Sequence, residues 1–190
     1  LMVVALVFYA TPIFWVGLLL ILVFSVQLGW LPPFGMQSMI PVKGAAAVTL
    51  DVIRHLILPA VTLGLFYIAV YVRLTRASML ETATLDYVKT ARAKGLPEWR
   101  VATAHILRTA LIPIITFAGL QAGHLVGGAI VVETVFAWPG IGRLAFDALF
   151  QRDYNLLLGV FLISALMVVF FNMVTDIVLR IADPRIAGRA

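Results

Sequence analysis

Residues 156–179, LLLGVFLISALMVVFFNMVTDIVL, decide the fold of this chain. A helix that crosses the hydrocarbon core of a bilayer needs about 20 mostly apolar residues. This run is longer than that, and its one charged residue, Asp176, lies near its end. The run therefore predicts a membrane-spanning helix.

Three more apolar segments precede this run, at about residues 1–28, 56–72 and 110–132. The 190 residues are 63% hydrophobic and 12% charged, which is too little charge to cover a soluble domain of this size. We predict an all-α membrane protein with four spanning helices in a single transmembrane domain. Because the chain begins at Leu1 inside an apolar run, we expect it to be a fragment of a longer protein.

Lys and Arg are unequally shared between the two sides of the predicted membrane. Ten lie in the 73–109 link or after residue 179, whereas four lie in the loops at about 29–55 and 133–155. Short connections rich in Lys and Arg face the cytoplasm. We therefore predict that the link and the C-terminus are cytoplasmic and that the two loops face outward. The net charge is +5, but the basic residues lie beside the apolar segments. We therefore expect membrane lipid, and not nucleic acid, as a partner.

The link contains the stretch DYVKTARAKGLPEWR at residues 86–100. Asp86 suits the start of a helix. Gly95 suits the position just beyond a helix end, where the chain turns left-handed, and Pro97 suits the first turn of a second helix. The stretch therefore predicts two short helices that meet at a glycine-dependent corner. Such a basic corner suits a groove on another protein, and the alternative is a basic helix that rests on anionic headgroups.

The same stretch resembles the loop that carries the EAA motif of ABC importer permeases. Gly95 stands at the glycine of that motif, and Ala91 stands at its second alanine. Lys89 and Thr90 replace the glutamate and the first alanine, and the proline within residues 111–113 comes later than in the general motif. The departures are similar to the form found in the dipeptide/oligopeptide/nickel permease subfamily, Asp-Tyr-Val-x-Thr-Ala-Arg-Ala-Lys-Gly-Leu.

Further stretches resemble the same subfamily along nearly the whole chain, at residues 57–60, 73–81, 133–143 and 183–186. The Trp-Pro-Gly form at 138–140 is similar to the first of the two paralogous permeases in such systems. The resemblance implies a six-helix permease of the bacterial inner membrane, of which this chain holds the last four helices. It implies transport of dipeptides or oligopeptides, with nickel and glutathione as alternatives.

The resemblance also implies a division of labour between several chains. A second permease subunit would complete the pathway, an external binding protein would deliver the substrate, and two ATPase subunits would bind ATP and Mg. No cofactor is then expected in this chain. The resemblance implies that the coupling helices contact the ATPase subunits. The residues expected to make this contact are Asp86, Tyr87, Thr90, Ala91, Arg92, Ala93, Lys94, Gly95 and Leu96.

Two other sets of residues are candidate functional positions. Glycines with polar neighbours in the third segment indicate either close helix packing or a surface of the pathway. These residues are Gly119, Gln121, Gly123, His124 and Gly127. The second outward loop offers residues for an outer gate or a binding-protein contact, with a solvated surface as the alternative. These residues are Glu133, Trp138, Pro139, Gly140 and Arg143. Helical spacing after the Trp-Pro-Gly turn predicts a short amphipathic helix on the outer surface.

Enzyme chemistry finds little support in this sequence. There is no cysteine, no His-Glu-x-x-His pattern and no glycine followed by lysine, so neither a thiolate metal site nor a phosphate-binding loop is indicated. No catalytic residue and no metal ligand are predicted. The competing class is a secondary transporter or channel, which usually carries charges central to its spans. The first three segments lack such charges, and that reading leaves the basic corner unexplained.

Overall fold

A computed structural model describes residues 11–40, 43–126 and 129–182 of the chain. Every regular element in these ranges is helical, which confirms the all-α class. The helices are α1 Ile13–Leu20, α2 Ala45–Ala83, α3 Asp86–Ala93, α4 Glu98–Arg100, α5 Arg108–Val126, α6 Ile130–Val135, α7 Ile141–Gln151 and α8 Tyr154–Ala182. Two π-helical segments, Ile21–Gln27 and Val101–Leu107, continue α1 and join α4 to α5.

Three helical stretches in the described ranges are long and apolar enough to cross a membrane: Ala45–Ala83, Glu98–Leu125 and Tyr154–Ile181. A fourth apolar stretch, Ile13–Gln27, is shorter. The first ten residues of the predicted span 1–28 lie outside the described residues. The membrane character of the fold is therefore confirmed, whereas the number of crossings stays a prediction.

Helix α2 runs well past residue 72, where the predicted span ends, and reaches Ala83. Residues 65–83 contain neither glycine nor proline, so nothing in them breaks the helix where the apolar run stops. The third predicted span, 110–132, falls on two helices, because α5 ends at Val126 and α6 begins at Ile130.

Contacts divide the chain into two compact units. One comprises Leu1–Ala69 and Leu125–Ala165, and the other comprises Val70–His124 and Leu166–Ala190. The core of the first unit is formed by Ile21, Leu58, Val132 and Phe136.

Phe136 lies in the centre of the first unit and is 2% exposed. Gly17 of α1 packs against it so closely that a Cβ at this position would lie 3.2 Å from the rings and methyls of Phe136 and Val135. The N–H of Gly35 donates to the carbonyl oxygen of Phe136 (2.8 Å). The segment before α2 is therefore attached to the residue that follows α6. The loop predicted at 29–55 is shorter than expected, because α2 already begins at Ala45.

Candidate functional site

A sharp corner joins α3 to α4 where the sequence predicts it. The N–H of Gly95 donates to the carbonyl oxygen of Arg92 (2.9 Å), and the N–H of Leu96 donates to that of Ala91 (3.4 Å). This pair of bonds is the usual glycine cap of a helix C-terminus. Gly95 has a φ of 77°, which side chains with a Cβ rarely adopt. Helix α4 begins directly after Pro97, so the predicted pair of helices at a glycine-dependent corner is confirmed.

The inner side of the corner is the apolar core of the second unit. Val88 and Ala91 of α3 form a buried cluster with Val101 and Ile106, and Leu96 packs against this cluster half-buried. Ala91 and Leu96 were both predicted to touch an ATPase subunit. The structure places Ala91 in the core and Leu96 at its edge, where they hold the corner together from inside.

One polar contact joins the two helices of the corner, and another connects the corner to α5. The guanidinium of Arg92 donates to both carboxylate oxygens of Glu98, at 3.0 and 3.4 Å. The hydroxyl of Tyr87 donates to Oγ1 of Thr109 (2.9 Å), which ties α3 to α5. Because both contacts are exposed, they orient the helices more than they stabilise them.

The exposed side of the corner carries most of the predicted contact residues. Those exposed to solvent are Asp86, Tyr87, Thr90, Arg92, Ala93, Lys94 and Gly95. Trp99 of α4 is also 65% exposed, with the Arg100 guanidinium 5.3 Å from its ring centroid. Sequence reasoning did not select Trp99. The sequence feature that could have identified Trp99 is its position between Glu98 and Arg100. Tryptophan is enriched at protein interfaces.

Glu133, on α6, uses its carboxylate to hold two backbone N–H groups. Oε1 accepts from the N–H of Ala129 (2.9 Å), and Oε2 accepts from the N–H of Arg143 (2.7 Å). Arg143 lies in the first turn of α7, and Gly140, the N-cap residue of that helix, has no side chain to satisfy the free N–H groups there. A carboxylate is also favourable beside the positive end of a helix. Glu133 therefore caps α7 from outside that helix.

Gly140 completes this arrangement, which we call the Glu133 clamp: Glu133, Gly140 and the N–H groups of Ala129 and Arg143. A Cβ at Gly140 would overlap the carboxylate of Glu133. The N–H of Trp138 donates to the carbonyl oxygen of Glu133 (2.8 Å), so the Trp-Pro-Gly turn folds over the same residue. Whether Glu133 also gates a pathway or touches a binding protein stays a prediction.

A shallow pocket of about 430 Å³ lies beside the clamp. Its lining residues are Pro139, Gly140, Ile141, Arg143, Leu144 and Asp147. The side chains of Arg143 and Asp147 are partly exposed, and Nε of Arg143 lies 3.9 Å from Oδ2 of Asp147. The structure therefore brings three of the five predicted outer positions together at one surface, and Trp138 is half-buried next to them in the chain.

Gly119 and Gly123 of α5 lie against α8 within the second unit. A Cβ at Gly119 would overlap the side chain of Thr175, and a Cβ at Gly123 would lie 3.1 Å from Cα of Val168. Small residues at such positions let two membrane helices approach closely. These contacts favour the helix-packing interpretation of the two glycines.

The polar neighbours of these glycines do not form one site. Gln121 is half-buried, whereas His124 is exposed. Gly127, the third glycine of the stripe, lies outside the described residues. The alternative that this surface lines a pathway stays untested.

One polar cluster was missed by sequence reasoning. In the segment that precedes α2, the N–H and the hydroxyl of Ser38 donate to the two carboxylate oxygens of Asp51, at 2.7 and 2.6 Å. Nδ1 of His55, which is buried, lies 2.8 Å from the carbonyl oxygen of Asp51. The cluster attaches the loop to α2. No local pattern pairs a serine with an aspartate thirteen residues away, so the sequence offered no signal for it.

A candidate metal centre is not found in the described ranges. No three His, Cys, Asp or Glu side chains among residues 11–40, 43–126 and 129–182 lie close enough together to hold an ion. The features that the described residues do show are the corner between α3 and α4, the Glu133 clamp and the packed glycines of α5.

Comparison with known proteins identifies relatives along nearly the whole chain. A family model described as "Binding-protein-dependent transport system inner membrane component" matches residues 1–188. The chain is 46% identical over 97% of its length to the di/tripeptide transport system permease protein DppB of Pseudomonas aeruginosa. It is 46% identical over 93% of its length to the oligopeptide transport system permease protein AppB of Bacillus subtilis.

A third relative carries a different substrate name. The chain is 45% identical over 92% of its length to the glutathione transport system permease protein GsiC of Escherichia coli. The chain covers 59% of the Pseudomonas protein, 55% of the Bacillus protein and 53% of the Escherichia protein. It therefore spans little more than half the length of the curated relatives that it matches.

Proposed function

This chain belongs to the family of binding-protein-dependent transport system inner membrane components, and we propose that it is the membrane-spanning subunit of an ATP-driven peptide importer. In this proposal the chain forms part of a pathway through a bacterial inner membrane and hydrolyses nothing itself. Two separate ATPase subunits bind ATP and Mg, a second permease subunit completes the pathway, and an external binding protein delivers the peptide. The 73–109 link and the C-terminus face the cytoplasm.

The observation that carries the proposal is the corner between α3 and α4. A surface that receives motion from another subunit needs exposed side chains on the side that contacts that subunit. It also needs buried side chains on the side that packs against the rest of its own chain. The corner has both, since Tyr87 and Trp99 are exposed while Val88 is fully buried. The bond from Tyr87 to Thr109 connects the same helix to α5, one of the candidate spans. A displacement of the corner would therefore move a membrane helix.

The names of the relatives support peptides as the substrate class. Two of them are named for di/tripeptide and oligopeptide transport, each at 46% identity. Glutathione is the second candidate, because a relative named for it is 45% identical. Glutathione is itself a short peptide, so both candidates require a pathway that admits a peptide backbone.

The test of the proposed function is uptake into proteoliposomes that hold the full-length permease pair, its ATPases and its binding protein. Dipeptides, longer peptides, glutathione and nickel are offered in turn, with and without ATP. We expect peptide accumulation that requires ATP. Uptake that ignores ATP would overturn the importer and favour a secondary transporter or channel. Nickel uptake without peptide uptake would keep the mechanism and correct the substrate.

The coupling role of the corner is tested by Gly95→Val. A side chain with a Cβ in the left-handed region costs about 1–2 kcal/mol, and a β-branched one costs more. A Cβ at Gly95 would meet no atom within 4 Å, so the strain is in the backbone alone. We expect the variant to insert in the membrane and to lose ATP-coupled uptake.

Two control variants separate coupling from folding. Gly95→Asn keeps more activity than Gly95→Val, because asparagine tolerates the left-handed region. Gly29→Val introduces the same kind of strain in the outward loop, where φ is 65° and no atom lies within 4 Å of a Cβ. We expect Gly29→Val to retain ATP-coupled uptake. Normal uptake by Gly95→Val, or equal loss in Gly29→Val, would count against the coupling role.

A further inference from the structure

Helix α7 has an apolar face that the rest of the described residues leaves exposed. Gly142 and Ala148 of this helix are buried in the first unit. Phe146, Leu149 and Phe150 are 40, 55 and 72% exposed. The rings of Phe146 and Phe150 lie 4.7 Å apart, centroid to centroid, so these two residues form one continuous apolar surface.

The edge of α7 that adjoins this apolar face is polar and has no net charge. It carries Arg143 and Asp147, one turn apart, with their side chains partly exposed. Arg152 and Asp153 follow the helix and again cancel in charge. A broad apolar face beside a narrow charged edge is the pattern of helices that lie in a membrane surface.

A tight turn places α7 at the end of a membrane-spanning helix. Arg152 and Asp153 are the only residues between α7 and α8, so the three Cα–Cα steps from Gln151 to Tyr154 extend over no more than about 11 Å. Arg152 has a φ of 56°, the N–H of Asp153 donates to the carbonyl oxygen of Ala148 (2.9 Å), and Oδ1 of Asp153 accepts from the N–H of Leu156 (3.0 Å). Asp153 therefore forms hydrogen bonds with both helices, with Ala148 of α7 and with Leu156 of α8.

Helix α8 includes the most apolar of the candidate spans, Tyr154–Ile181. Tyr154 is 65% exposed at its first position, and tyrosine at the end of a membrane helix usually lies at headgroup level. The C-terminal end of α7 must then lie within about 11 Å of the headgroup level, because the turn allows no greater separation from Tyr154. Phe150 is one residue from that end.

We propose that α7 lies in the plane of the membrane surface, with Phe146, Leu149 and Phe150 inserted at the boundary between headgroups and acyl chains. The partner of this face is lipid. Burial of the apolar face drives insertion, and since the charges of the polar edge cancel, insertion does not depend on anionic lipid. The inference requires that α8 spans the membrane, but it does not require that the chain transports peptides.

These 190 residues contain no cysteine, and any cysteine elsewhere in the full-length permease or its partner subunits is first replaced by serine, so that one introduced cysteine reports on one position. Nitroxide is attached to Phe150→Cys in the full-length permease, assembled with its partner subunits in liposomes. Collision rates are measured with oxygen, which concentrates in the bilayer, and with a water-soluble nickel chelate. Asp147→Cys on the polar edge is the matched control, and Leu162→Cys on an exposed part of α8 is the reference for lipid. Leu149→Cys is a second reporter on the same face.

At Phe150→Cys and Leu149→Cys, we expect the collision rate with oxygen to exceed that with the nickel chelate, as it should at Leu162→Cys. At Asp147→Cys, we expect the nickel chelate to have the higher collision rate. The result should be the same in liposomes with and without anionic lipid. Frequent collision with the nickel chelate at both reporters would place the face in water and overturn the proposal. Exclusion of both probes would mean that another protein covers the face, which overturns it equally. Uptake of any substrate plays no part in these readings, so failure of the proposed function would be distinguishable.

Discussion

The Glu133 clamp makes the sharpest quantitative prediction, because Glu133 and Gly140 occupy one space. Glu133→Ala removes the acceptors of two backbone N–H groups, those of Ala129 and Arg143. Gly140→Ala adds a Cβ where the carboxylate lies. The double variant has room for the new Cβ, because the carboxylate is gone. We therefore expect the double variant to be no less stable than Glu133→Ala alone.

The magnitude follows from the two hydrogen bonds. A bond to a charged group contributes about 1.5–3 kcal/mol, and Glu133 is only half-buried, so the lower end applies to each of its bonds. Glu133→Ala should then cost about 2–4 kcal/mol of local stability at the start of α7. Glu133→Gln keeps one carbonyl acceptor and should cost roughly half of that. Gly140→Ala should cost about 1–3 kcal/mol by overpacking.

The assay is hydrogen exchange at the first turn of α7, measured on the full-length permease in its complex. A loss of about 2 kcal/mol speeds exchange about thirtyfold. Asp147→Ala is the matched control. It removes a carboxylate of α7 that accepts no hydrogen bond from a backbone N–H of the described residues. We expect it to lower the local stability of α7 by less than about 0.5 kcal/mol. The clamp is refuted if Glu133→Ala leaves exchange unchanged, or if the costs of Glu133→Ala and Gly140→Ala simply add in the double variant.

Two further predictions concern the packing of α5 against α8 and the loop before α2. Gly119→Ala should lower the thermal stability of the complex in detergent by about 1–3 kcal/mol, because its Cβ would overlap Thr175. Gly159→Ala, where a Cβ meets no atom within 4 Å, should leave it unchanged or higher, and equal effects would contradict the packing. Asp51→Ala should speed proteolysis within the loop at 29–44 more than Ser38→Ala does, because it removes both bonds instead of one. Equal cleavage of wild type and Asp51→Ala would show that this contact does not hold the loop.

Much of the local structure could be predicted from the sequence, because its causes are local. Gly95 and Pro97 predicted the corner, since a left-handed cap and a rigid φ act on the residues next to them. Helical spacing after the Trp-Pro-Gly turn predicted the helix that the structure shows as α7. Boundaries were less accurate. Helix α2 continues to Ala83 because polar and charged residues also form helices, and residues 65–83 contain no glycine or proline that would interrupt one.

Hydropathy and the glycine–proline pattern by themselves determined that this chain is an all-α membrane protein with a capped corner in its longest link. Hydropathy acts through the length of an apolar run, and glycine and proline act through their own backbone angles. Each of these properties depends only on residues that are neighbours in the sequence, so the sequence is enough to predict it. Only the tertiary structure decided that Ala91 faces inward, that Glu133 caps a helix ten residues away and that Thr175 lies over Gly119. Those pairings depend on which helix faces approach each other, and packing in three dimensions decides that choice.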